Sequence, residues 1–94
     1  MRFTKNYEKL NRALFTTIRK NTKMYKLGNI YEIQTPNFKL YAKIIGRYPI
    51  TKIQITDKLA MADAECSRDQ LVQMLDKWYG KDFDDYILIT LMVW

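Results

Sequence analysis

Apolar and polar positions change period several times along the chain, and each change marks an element. Over "FTKNYEKLNRAL" the apolar residues Phe3, Tyr7, Leu10 and Leu14 recur every three or four positions. That period predicts a short first helix with one apolar face, Thr4 as its N-cap, and Lys5, Lys9 and Arg12 on another face. "FTTIR" is rich in β-branched residues and predicts a short strand. "NTKMYKLGN" reads as a loop, with Gly28 in the turn taking a backbone angle that other residues avoid. "NIYEIQT" alternates through Ile30, Tyr31, Glu32 and Ile33, the pattern of a half-buried strand. "TPNF" reads as a hairpin turn. "KLYAKIIGRYPITKIQIT" is a long β region interrupted near Gly46 and Pro49. Proline donates no ladder hydrogen bond, so the region predicts two strands or one sharply bent strand.

In the second half, "DKLAMADAE" predicts a short helix opening at Asp57. "SRDQLVQMLDKWYG" gives the strongest helical signal. Ser67 and Gln70 have capping-box spacing, Asp69 lies in the first turn, and Gly80 stops the helix. Leu71, Met74, Leu75 and Trp78 form an apolar stripe that predicts a core-facing side. "YILITLMVW" predicts a buried closing strand, and nine residues are too few to cross a bilayer. The order helix, strands, helix, strand predicts an α+β domain with a mostly antiparallel sheet. A sheet of this size removes its edges by curling, so the expectation is a small barrel of five or six strands with two or three short helices.

Ninety-four residues hold one core, so residues 1–94 are read as a single domain. "MRFTKNYEKL" has no apolar leader, and the expected compartment is the cytoplasm, with no membrane association. The chain has no histidine and one cysteine, Cys66. An internal disulfide, the usual zinc sets and histidine acid–base chemistry are therefore excluded, and neither metal nor cofactor is expected. Charge adds an asymmetry. Residues 1–52 hold 12 of the 16 Lys/Arg and 2 of the 10 Asp/Glu, a balance of +10, whereas residues 53–94 balance at −4. A basic half of this kind suits a polyanion.

Four segments stand in order: "TTIR", "YKLGNIYEI", "AKIIGRYPITKIQIT", and "LAMADAECSRDQLVQMLDKWYG" ahead of "YILITLMVW". Together they resemble the ASCH domain, a branch of the PUA-like barrel superfamily. The resemblance covers roughly residues 10–94 and implies a PUA-like β-barrel. It also implies either RNA binding or an enzyme acting on modified nucleosides or RNA. The family's amidohydrolase branch uses a lysine, a threonine and a later acid. Carried over, the threonine falls on Thr17, the arginine of the motif on Arg19, and the acid on Asp63, with Glu65 as the alternative register. The lysine position falls on Leu14, which cannot act as base or nucleophile. Lys20 or Lys23 would have to fold back to replace it.

Three functions follow as expectations. The first is a nucleic-acid-binding module, for RNA before DNA, with a basic cleft around the "TTIRK" segment. Its contacts would be Arg12, Thr16, Arg19, Lys20, Lys23 and Lys26, with Arg19 presenting a planar fork to phosphate. Tyr25, Tyr31, Tyr41 and Tyr48 lie among these charges as stacking candidates. The second is a small hydrolase with Thr17 and Asp63 as its catalytic pair. The third is a protein-interaction module using the acidic half. The edge of "YILITLMVW" offers a surface for a second copy, although nothing in the sequence requires one.

Overall fold

The structure, a computed structural model, describes residues 1–3 and 7–94 apart from the Glu8 side chain. Four strands form one antiparallel sheet: β1 (Leu14–Lys20), β2 (Ile30–Gln34), β3 (Lys39–Ile50) and β4 (Tyr86–Val93). Their spatial order is β1-β4-β3-β2. Two helices, α1 (Asp57–Ala64) and α2 (Arg68–Tyr79), lie between β3 and β4 in the chain. The α+β class and the antiparallel sheet match the sequence reading. The barrel of five or six strands does not: among the described residues there are four strands and the sheet is open. Beyond the edge of β2, Met1–Phe3 adds only one isolated bridge, Arg2 to Gln34. The Arg19 guanidinium then donates to the Arg2 carbonyl at 2.8 Å. One side-chain bond, rather than a ladder, thus connects the sheet's two ends.

β4 is a central strand, so the edge proposed for a second copy is already paired on both sides. Tyr86, Ile87, Ile89 and Leu91 of β4 are fully buried, which is why this run is apolar on both faces. The Tyr86 hydroxyl is buried without a partner among the described residues, a cost of about 1–3 kcal/mol. β3 is one continuous strand, not two. Its register shifts between Ile44 and Gly46, where a Cβ on Gly46 would stand 3.2 Å from Thr90 Cβ. Pro49 sits inside this strand. β2 pairs only as far as Lys43, so Pro49 has β4 on one side and no second ladder to break. Past Ile50 the chain makes a short 3-10 turn, Lys52–Gln54, in place of further strand.

The first helix is also shorter than its period suggests. A single 3-10 turn, Glu8–Asn11, is present, and Thr4 and Lys5 lie outside the described residues. Phe3, Tyr7 and Leu10 are buried as expected, but Leu14 begins β1 and is 52% exposed. α1 opens on a Thr56 cap, one residue before Asp57. α2 carries the capping box, with Gln70 N–H donating to Ser67 Oγ and Ser67 N–H to Gln70 Oε1, and ends at Gly80 (φ 94°). Leu71 and Leu75 enter the core; Met74 is half-buried and Trp78 is 51% exposed. The stripe is therefore core at its first half only. Among the described residues no helix is long and apolar enough to cross a membrane.

Candidate functional site

The site is built on the open edge of β1. Alternation places the main-chain groups of Thr16 and Ile18 on the side away from Thr17, and as an edge strand β1 has no ladder partner there. Two charged side chains supply the missing partners. Lys9, from the turn before β1, donates to the Thr16 carbonyl at 2.7 Å. Asp63, from the last turn of α1, accepts from the Ile18 N–H. Lys9 Nζ and Asp63 Oδ1 are 3.2 Å apart, and both side chains are almost completely buried. The ammonium also lies 5.1 Å from the Phe3 ring centre and 5.4 Å from that of Tyr7, both within cation–π range. Burial pushes the Lys9 ammonium below its ordinary range and the Asp63 carboxyl above its own, in each case against the pull of the partner's charge.

Thr17 and Arg19 leave the same face of β1. Arg19 Nε donates to Thr17 Oγ1 at 3.2 Å, and its guanidinium lies 4.7 Å from the Phe3 ring centre. These four groups, Lys9, Thr17, Arg19 and Asp63, share one cavity of about 210 Å³. Arg2 also lines it, and the remaining wall is apolar or aromatic, with Phe3, Leu71 and Leu75 prominent. Trp78 and Tyr79, the more exposed of its aromatic residues, form its outer rim. An apolar pocket with a few convergent polar groups and shifted titrations has the make-up of a ligand site.

The sequence candidates separate cleanly. Thr17, Arg19 and Asp63 come together here. Thr16 contributes its carbonyl, while its side chain is on the opposite face of β1. Arg12, Lys20, Lys23 and Lys26 are exposed outside the cavity. Lys20 lies 5.2 Å from the Phe83 ring centre. Neither Lys20 nor Lys23 folds back; the ammonium comes from Lys9, which the helical period places on one face with Lys5 and Arg12. Glu65 caps α1 in the left-handed region (φ 57°) and lines a neighbouring groove instead. Of the tyrosines, Tyr25 and Tyr31 pack edge to face and are half-buried, leaving Tyr41 and Tyr48 exposed.

The "KNTKMYK" loop is held from inside. Arg47 donates to the carbonyls of Tyr25 (2.9 Å) and Thr22 (3.0 Å) and to Asn21 Oδ1 (2.7 Å). The Tyr31 hydroxyl donates to the Met24 carbonyl at 2.6 Å and accepts from Lys26 N–H at 2.8 Å. The loop thus presents Lys23 and Lys26 outward from a fixed backbone. Among the described residues no cluster of three or more His, Cys, Asp or Glu has metal-binding geometry. A scan of protein-family models finds no match to the chain, and searches of curated proteins and of solved structures find none either.

Proposed function

We propose that this chain is a single-stranded RNA-binding module that takes one unpaired base into the Lys9–Thr17–Arg19–Asp63 cavity. The observation that carries the reading is the cavity itself: apolar walls, a braced guanidinium and hydroxyl at one side, and an aromatic rim. A base inside a duplex cannot enter such a pocket, whereas a splayed base can be stacked and read on its edges. β1 runs from Arg19 directly into Lys20 and the pinned loop, where Lys23 and Lys26 face solvent and suit phosphates. The ASCH-like order of segments supports RNA over DNA and a PUA-like ancestry for the sheet. In a Trp94→Phe background, single-stranded RNA is expected to quench Trp78 fluorescence. Duplex RNA of the same sequence should leave it nearly unchanged. Equal quenching by both would place binding outside the cavity.

One observation favours a second reading, hydrolysis of a modified nucleoside. Lys9 supplies, from outside β1, the buried amine that Leu14 lacks, in the same cavity as Thr17 and Asp63. In that chemistry Arg19 and Thr17 would polarise a carbonyl, and the Lys9–Asp63 pair would relay a proton. The ammonium is already engaged by the Thr16 carbonyl and Asp63, and the Thr17 hydroxyl by Arg19. Acylated cytidine is therefore expected to remain intact with the protein. Release of free cytidine, lost in Thr17→Ala, would make the hydrolase the correct reading.

A further inference from the structure

α2 presents two adjoining stripes. Leu71, Met74, Leu75 and Trp78 face the cavity just described. Gln70, Gln73, Met74 and Lys77, spaced i, i+3, i+4 and i+7, line a second groove of about 630 Å³. The two spaces share Tyr7, Ala64 and Met74 in their linings, so they adjoin along that line. The groove is also chemically distinct. Its helix side is formed by two amides and an ammonium, and Glu65 and Cys66 close the other side. Gln70 Oε1 is held by the Ser67 N–H, which fixes that amide and turns its donor group away from the cap. Gln73 and Lys77 are exposed.

We infer that this groove is a second nucleotide subsite, so that the ligand is a strand of at least two nucleotides rather than a free nucleoside. The inference rests on the cavity reading above. The groove adjoins the cavity at Met74, within reach of the nucleotide next to a base held in the cavity. The next base lies against the half-buried Met74 side chain, where the Gln73 amide offers both a donor and an acceptor to its edge. Lys77, at the groove's far end, meets the following phosphate as a point charge. Glu65 is the one acid of the groove, and it accepts from exocyclic amines rather than from phosphate, which disfavours the backbone on that side.

The test is competition against a labelled single-stranded RNA, followed by anisotropy. The competitors are nucleoside 5′-monophosphates, dinucleotides and trinucleotides of mixed sequence. A dinucleotide is expected to compete roughly tenfold better than a monophosphate, within the range for one added stacked base. Gln73→Ala should reduce that gain, and Lys77→Ala should remove the further gain of a trinucleotide; both side chains are exposed, so the fold is retained. If monophosphate and dinucleotide compete equally, and both lose affinity in Arg19→Ala, the second subsite is wrong and the cavity reading stands. If neither competes, the cavity reading falls and this inference falls with it.

Discussion

Asp63→Ala is expected to destabilise the protein by about 3–5 kcal/mol, because it strands the Lys9 charge in a buried site. The loss has two parts. Lys9 keeps the Thr16 carbonyl but loses the carboxylate it is paired with, and the Ile18 N–H loses its acceptor on the open edge of β1. Lys9→Met should cost a comparable amount for the mirror reason. Lys9→Met combined with Asp63→Leu should recover most of it, since apolar replacement of a buried pair is often close to neutral. What is not recovered is the cost of the two uncovered main-chain groups. Urea unfolding of the four proteins measures this cycle; simple additivity of the single losses would mean that the two side chains are not coupled.

The same pair sets a pH dependence whose sign can be worked out. Asp63 is raised in the folded state, so the unfolded chain ionises first, near the ordinary value of about 4, and folding loses stability as pH rises through that window. Lys9 is lowered, so as pH falls below about 10 the unfolded chain takes up its proton first and folding again loses stability. Relative to the apolar double variant, the natural protein should therefore be least stable between these limits. A stability difference that is flat with pH would show that the pair is better solvated than its burial implies.

Much of α2 could be read from sequence because its signals are local. Ser67, Gln70 and Gly80 act within a single turn of chain, and their positions held. The strands were equally legible, since Ile30 to Ile33 and the apolar run of β4 need only their own periodicity. The failures all involve tertiary context. Lys9 reads as a helical lysine sharing a face with Lys5 and Arg12, yet Glu8–Asn11 is a single 3-10 turn and β1 needs a donor on its edge. Pro49 reads as the mark of two strands or one sharply bent strand; β3 is a single strand because β2 has already ended where Pro49 sits. Trp78 reads as core, but the space beneath that end of α2 is the cavity. The sheet stays open because Met1–Phe3 adds an isolated bridge at β2 rather than a strand, which local periodicity does not reveal. Of the residues that line the cavity, Thr17, Arg19 and Asp63 are ones the sequence singles out, whereas it gives no signal that places Phe3, Lys9 or the Trp78–Tyr79 rim beside them.

Arg19→Ala is expected to weaken binding of single-stranded RNA by about 10- to 100-fold, the range for one charged hydrogen-bonding group removed from a partly buried site. Lys20→Ala, Lys23→Ala and Lys26→Ala should each cost only a few-fold, equally for all sequences, because they are exposed and meet phosphate as point charges. Arg19→Lys should not restore the lost affinity. An ammonium keeps the charge but cannot hold Thr17 Oγ1 and the Arg2 carbonyl while facing a ligand with a planar fork. Arg19 also stacks on Phe3, so the unfolding midpoint of each variant must be measured alongside its affinity.

The most direct measurement is fluorescence anisotropy of labelled single-stranded RNA, with duplex RNA and DNA as comparisons, over a salt series for the natural protein and Arg19→Ala. Five phosphate contacts to a single strand predict a slope of log affinity against log salt near −3.5, from roughly −0.7 per contact. Each lysine variant should flatten it by about 0.7, and single-stranded RNA should bind more tightly than duplex. If no oligonucleotide binds more tightly than about 10⁻⁴ M, the weak end of non-specific association, the basic half is a solvated surface and the cavity is not an RNA site.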